Sequence, residues 1–316
     1  MGLDVVKTLQ VLMACYQGEA CLPRQLDTLR AQDDPCFTVL LQDDGSADGT
    51  PALLRDVCAA DSRFRLAQEQ GRHLGAVGNF LSLMRQSDAD YSALCDQDDE
   101  WLPHRLSRCR SAMEAAEARF GADTPLLVHS DAALIDGSGA LLHPSFFAHQ
   151  GWRADATGLA PLLVQNNVTG CTLMMNAALR RLVVSHAGAA DMHMHDWFIA
   201  LTAAAFGQVI FVPEALVRYR QHGHNVMGAS RAGLLCRGVS ALAQGQKARE
   251  RIALTYRHTA AFRRAYADDL PDAAARLVDA YLATEALPKC RRVLAVQRLG
   301  CRMQSPVTRL GQILFG

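Results

Sequence analysis

The chain lacks the short patterns that most directly fix a function. It has no G-x-x-x-x-G-K-[ST] loop, no G-x-S-x-G elbow and no H-E-x-x-H pair. Those absences exclude P-loop phosphate chemistry, the elbow-borne serine nucleophile and the paired-histidine zinc site. It has no excess of either charge: Lys+Arg and Asp+Glu number 32 each, so no global field draws it to nucleic acid. Any electrostatic work must be local. The ten cysteines include no C-x-x-C pair, and several sit in apolar runs where a thiol behaves as a small hydrophobe. A reducing compartment is expected, rather than a disulfide framework or a zinc ribbon. No apolar run approaches the roughly 18 residues of a membrane span. No charged-then-apolar leader precedes the first strand, so a cytoplasmic protein without a signal peptide is expected. Internal repeats and low-complexity tracts are also missing.

What is present is a rhythm. Short apolar runs at 9–14, 37–41, 64–67, 91–95, 126–129, 172–175 and 209–212 read as strands. Between them, 19–31, 52–59, 74–85, a segment opened by Pro103, 177–184 and 196–205 carry helical spacing. The alternation predicts an α/β fold: a mixed, mostly parallel sheet flanked by helices. Residues 136–158 read as an irregular excursion over a binding site. From about 231 onward helical periodicity dominates, with Leu234, Leu235, Val239 and Leu242 at core-like spacing. Residues 1–230 are therefore expected to form the sheet domain and 231–316 a helical C-terminal appendage.

In an open α/β sheet, ligands bind outside the carboxyl ends of the strands. The stretches Ala14-Cys15-Tyr16-Gln17, Gln42-Asp43-Asp44-Gly45-Ser46, Asp96-Gln97-Asp98-Asp99 and His129-Ser130-Asp131 fall there. The third is the most informative. Three carboxylates within four positions repel one another unless a cation or strong donors neutralise them. Oxygen ligands at a strand end suit Mg²⁺ or Mn²⁺ shared with a diphosphate, although a solvated acidic turn is the plainer reading. Asp43 can accept from a pyrimidine ring N–H while Tyr16 lies against the base, or Asp43 to Ser46 can be a turn before a capped helix. His193 and His195, one residue apart, would face away from each other on a helix, so a zinc pair is not expected there.

Strand one, the Asp-Asp-Gly-Ser-x-Asp-Gly-Thr turn from Asp43 and the strand ending Asp-Gln-Asp-Asp-Glu-Trp-Leu-Pro together resemble inverting GT-A glycosyltransferases of family 2. Val168-Thr169-Gly170-Cys171, Met194-His195-Asp196-Trp197 and Tyr219-Arg220-Gln221-His222-Gly223 resemble its rhamnosyltransferase-like branch. The likeness spans about residues 8–228, with the motifs in order.

The resemblance implies a role at each matching position. Ala14, Tyr16 and Asp43 would bind the nucleoside, and Asp96 would face the ribose or the metal. Asp98 would be the principal ligand of Mn²⁺ or Mg²⁺, with His222 completing the shell and Arg220 on the diphosphate. Asp196 would be the base that takes the acceptor proton, or else an ordinary helix cap. Thr169 and Trp197 would lie on the acceptor side, Trp197 against a sugar face or in the core. Asp99, with Glu100, would either join the site or cap the helix near Pro103. The donor implied is a nucleotide-diphosphate sugar, dTDP-rhamnose by the branch resemblance, and the acceptor a saccharide or lipid-linked oligosaccharide in bacterial surface polysaccharide synthesis. Cys15 and Gln17 depart from the hydroxyl residue and Asn usual in the family, His73 and Gly75 match its donor-side N-x-G stretch only loosely, and the common Q-x-x-R-W motif is absent.

From Lys289 to the end there are six Lys/Arg and no acid, interleaved with Leu294, Val296, Leu299, Leu310, Ile313, Leu314 and Phe315. Such a tail suits peripheral contact with the cytoplasmic face of an inner membrane, and equally suits packing back on the first domain. Two rivals stand beside the transferase reading. A sugar nucleotidyltransferase would need a Gly-rich basic loop after strand one, which is not there. A non-catalytic scaffold would be expected to have lost Asp98 or Asp196, and both are present.

Overall fold

The computed structural model describes residues 6–68, 71–188, 192–221 and 240–316. His222, the loop Gly223-His224-Asn225, Leu234, Leu235, Val239 and the boundary expected near 230 lie outside them, as does the side chain of Leu242.

Nine strands form one sheet in the order β3-β2-β1-β4-β8-β6-β9-β5, with β7 paired to β6. β1 (Leu9–Cys15), β2 (Thr38–Asp43), β3 (Phe64–Leu66) and β4 (Tyr91–Asp96) run parallel. The residues of β1, β2 and β4 are buried on both faces, which is why they read as continuous apolar runs, whereas β3 is buried only at Phe64. The helices α1 (Leu22–Arg30), α2 (Thr50–Ala60) and α3 (Gly75–Gln86) return the chain between them.

The second half of the sheet is mixed. β8 (Leu173–Asn176) lies antiparallel between β4 and β6 (Leu126–Ile135). β6 pairs in parallel with β9 (Gln208–Arg220), which in turn pairs with the two-residue β5 (Glu100–Trp101). β6 and β9 both run well past the ends expected at 129 and 212. Pro213 should stop a central strand, but Ser130 pairs with Val212 and Asp131 with Ala215, so Pro213 and Glu214 sit in a bulge. The excursion at 136–158 holds β7 (Leu141–His143) and α5 (Phe146–Gln150).

α4 (Arg105–Phe120) and α1 cover one face of the sheet. α6 (Leu159–Val164), α7 (Ala177–His186) and α8 (His195–Phe206) share the core on the other face with α3. α9 (Ser240–Ala265) and α10 (Asp272–Ala283) join that second core through Phe262, Tyr266 and Val278, all with no exposed surface. α11 (Lys289–Arg298) and α12 (Pro306–Phe315) complete the helical region. The nine described cysteines are free thiols. Among the described residues no helix is long and apolar enough to cross a membrane.

Candidate functional site

The carboxyl ends of β1, β2 and β4 open into a cleft of about 280 Å³, lined among others by Ala14, Tyr16, Asp44, His73, Phe80 and Asp98. Tyr16 is 47 % exposed and its ring lies 4.7 Å from the His73 imidazole, centroid to centroid. Gln97 fixes the backbone beneath that ring. The Tyr16 N–H donates to Gln97 Oε1 at 2.8 Å, and Gln97 Nε2 donates to the Tyr16 carbonyl at 2.7 Å. Asp44 is buried and its two carboxylate oxygens accept from the Leu74 and Gly75 N–H groups at 2.7 Å each. Gly75 has φ +68°, a left-handed conformation that side chains resist, and it turns the chain into α3 at this contact. Asp43 serves its own turn: its carboxylate accepts from the Gly45 and Ser46 N–H groups and, at 2.5 Å, from the Ser46 hydroxyl.

Ligand atoms of Asp96, Asp99 and Cys171 lie within 4.8 Å of one another. Asp98, expected to be the chief metal ligand, is not in that cluster; it lines the cleft beside Asp96. Burial first, then Asp98, then Asp196 push the Asp96 carboxyl up to about 7. Burial first, then Asp98 and Asp96, hold Asp99 well above the usual carboxylate range. Asp99 Oδ1 accepts the Arg220 backbone N–H at 2.9 Å, whereas no nitrogen or oxygen donor reaches its buried Oδ2. Asp99 and Glu100 therefore do not cap α4, whose N-cap is His104.

Glu100 is instead an anchor. Its carboxylate meets Arg218 and Arg220 at 2.8 Å and Arg24 at 3.5 Å. Arg220, expected on a donor diphosphate, is used within the protein. Its guanidinium donates to Glu100, to the Asp98 carbonyl at 2.8 Å and to the carbonyls of Asp136 and Gly137. It thereby clamps the acidic turn to β9. From below, the fully buried Arg105 stacks 3.4 Å over the Trp101 ring and donates to the Cys171 carbonyl at 2.7 Å. Burial lowers its pKa, opposed in part by three neighbouring thiols and by Asp99.

Asp196 occupies the first turn of α8 and is 5 % exposed. Burial pushes its carboxyl up to about 7, opposed in part by the N–H groups of Trp197 (2.6 Å) and Gly170. Gly170 is needed for the approach: a β-carbon there would stand 3.0 Å from His195 Nε2 and 3.7 Å from Asp196 Cβ. The His195 ring packs 4.4 Å from that of Phe80, which lines the cleft, and burial lowers its pKa to about 4, leaving it neutral. Thr169, one residue before Gly170, uses its carbonyl to accept from the N–H and hydroxyl of Thr172, closing a 3₁₀ turn. Trp197 is a correction to the acceptor-side expectation. It is 6 % exposed, donates its indole N–H to the Leu162 carbonyl and packs against His258, because α8 turns it into the helical core.

Gly170 and Cys171 are the physical link: one touches Asp196, the other the Asp96–Asp99 pair. Sequence reasoning missed Asp44, Gln97 and Arg105 as working residues. Asp44 and Gln97 stood inside acidic motifs whose neighbours drew the attention, and Arg105 gave no signal at all.

The profile of glycosyl transferase family 2 matches residues 10–181. An uncharacterised protein of Mycobacterium tuberculosis is 23 % identical over 69 % of this chain and 60 % of its own length. This chain thus spans about three fifths of the first curated relatives it matches. A dTDP-rhamnosyl transferase of Shigella flexneri, RfbG, is also 23 % identical, over 69 % of this chain and 74 % of its own. Among solved structures, a fragment of S. aureus TarS in complex with UDP-GlcNAc superposes with a TM-score of 0.58 at 13 % identity. It covers 98 % of this chain and 89 % of that one. The mannosyltransferase PcManGT from Pyrobaculum calidifontis, in complex with GDP-Man and Mn²⁺, gives 0.52 at 15 % identity, covering 94 % and 76 %.

Proposed function

The chain belongs to glycosyl transferase family 2, and on that premise we propose that it transfers a sugar, with inversion, from a nucleotide-diphosphate donor to a hydroxyl of a saccharide or lipid-linked acceptor. The observation that carries this reading is the convergence of Asp196, a buried carboxyl at a helix start, with the Asp96–Asp99 pair beside the β1–β2–β4 cleft.

The donor lies in the cleft with its base against Tyr16 and its diphosphate toward Asp96 and Asp98. Two carboxylates, one with a buried oxygen that no nitrogen or oxygen donor reaches, fit a hard divalent cation such as Mn²⁺ or Mg²⁺. The Cys171 thiol, kept protonated by burial, is the soft outlier of the group. Asp96 and Asp99, with Asp98 at the cleft, would hold the cation, which supplies neutralisation of the leaving diphosphate. Asp196 takes the proton of the acceptor hydroxyl as that oxygen attacks the anomeric carbon. Its raised pKa makes it a stronger base than an exposed aspartate, while half or more remains ionised at neutral pH and above.

Rhamnose from dTDP-rhamnose is the donor sugar we favour, supported by the branch resemblance at residues 168–171, 194–197 and 219–223 and by the likeness to RfbG. Synthesis of a bacterial surface polysaccharide is the matching setting. Purified protein is screened for thermal stabilisation by dTDP, UDP and GDP sugars with Mn²⁺, followed by donor turnover in wild type, Asp98→Ala and Asp196→Ala. Stabilisation by dTDP-rhamnose and loss of turnover in both variants is expected. Equal turnover in all three would assign the chain a scaffold role.

A further inference from the structure

α12 is inverted with respect to solvent. Its buried position is Gln312, whose carboxamide accepts from the Met303 N–H and donates to the Cys301 carbonyl. Its outer face exposes Val307 (81 %), Leu310 (56 %), Ile313 (41 %) and Leu314 (49 %). One side of the helix is seated: a β-carbon at Gly311 would stand 3.8 Å from Ala248, and the Phe315 ring fills the space over Gly245. The apolar outer face has nothing covering it among the described residues.

α11 runs antiparallel to α12. Lys289, at its start, donates to the Leu314 carbonyl, and Arg309 donates to Gln297 near its end. α11 has an outer stripe of its own, Arg291, Leu294 and Arg298 at helical spacing, with Leu294 51 % exposed. That stripe edges an open groove of about 450 Å³ whose other wall carries Ala280, Ala283 and Leu287. From Lys289 to Gly316 there are six cationic side chains and no carboxylate.

We propose that the α11–α12 hairpin docks this protein on the surface of an anionic phospholipid bilayer. Val307, Leu310 and Leu314 enter the boundary between headgroups and acyl chains, and Arg291 and Arg298 bind lipid phosphates. Charge selects this occupant over a second copy: two such faces brought together would oppose cation to cation, with no acid in either hairpin to relieve it. Ten residues of helix are far too few to span a bilayer, so the contact lies in the plane of the surface. The inference does not rest on the sugar-transfer reading, because it concerns a different face and needs no substrate.

The test is co-sedimentation of the full chain with phosphatidylcholine vesicles, with and without phosphatidylglycerol, at low and high salt. Wild type is compared with Leu310→Glu/Leu314→Glu and Arg291→Glu/Arg298→Glu, each checked for an unchanged melting curve. Binding to anionic vesicles only, weakened by salt and at least about tenfold lower in either variant, is expected. Donor turnover in solution should be the same in all three proteins. No binding, equal binding to neutral vesicles, or variants that bind like wild type would overturn the proposal. So would a dimer in sedimentation velocity that Leu310→Glu dissolves while wild type ignores vesicles.

Discussion

Asp196 stands close enough to Asp96 for its charge to help raise the Asp96 carboxyl. The start of α8 and the end of β4 therefore share one electrostatic environment, although the two residues lie in different halves of the chain. Both carboxyls are pushed up to about 7, each by burial first.

Replacing Asp196 by Asn should remove the proton acceptor and leave the donor cleft intact. Transfer is expected to fall about 10²- to 10⁴-fold, while thermal stabilisation by the donor persists. Loss of donor stabilisation instead would mean that Asp196 belongs to the nucleotide site.

The pH dependence has two opposite signs. Transfer should rise with pH through about 7 as Asp196 ionises. Stability should run the other way. Between about 4 and 7 the native state holds a proton that the unfolded chain has released, so stability falls as pH rises through that window. Measured in chelator, Asp196→Asn should therefore match wild type near pH 4 and exceed it near pH 8, by up to about 4 kcal/mol. Urea titrations at the two pH values decide it; a variant less stable at pH 8 would contradict the buried-acid account.

Glu100→Gln should destabilise strongly, because it leaves Arg220 buried at 6 % exposure without its counter-charge. A loss of about 3–5 kcal/mol is expected in urea unfolding. An effect near that of a surface ion pair, below about 1 kcal/mol, would show that the carbonyls alone hold the clamp.

Gly170→Ala tests the approach to Asp196. The added methyl meets His195 Nε2 at 3.0 Å, so the imidazole beside Asp196 should give by a few tenths of an ångström, while Asp196 Cβ at 3.7 Å stays in ordinary contact. We expect kcat about 10- to 100-fold lower with little change in KM for the donor. Unchanged kcat would mean that α8 has room to give way.

Chelation should abolish donor turnover and Mn²⁺ should restore it. Asp96→Asn should raise the Mn²⁺ concentration needed for half-restoration by at least about tenfold. Full turnover in chelator would exclude the metal reading of the acidic cluster.

Much of the parallel half of the sheet was legible because β1, β2 and β4 are buried on both faces and end in turn residues. The rest was hidden by long-range partners. β5 is two residues long, and only its pairing with β9 makes it a strand, so no periodicity could reveal it. β9 passed for a short strand because Pro213 interrupts it, and the bulge that absorbs the proline depends on β6. Asp196 and Asp96 were singled out from their motifs, and in the structure both are carboxyls raised by burial. The internal partners of Arg220 stayed hidden because Glu100, Asp136 and Gly137 are acceptors that its local sequence does not announce. Asp99 was weighed as a cap because aspartate before a helix ordinarily is one; here the β9 backbone claims it first.

The parallel pairing of β1 with β4 ends at Ala14 opposite Asp96. Gln97 carries it one rung further, giving one hydrogen bond to the Tyr16 peptide and taking one, as a strand's main chain would. A molecule resting on the Tyr16 ring thus rests on the sheet, not on a loose loop. Position 97 therefore demands a carboxamide: glutamate would lose the donating half of the rung and methionine both halves, and in either case the floor of the cleft would come adrift while the sheet behind it stayed whole.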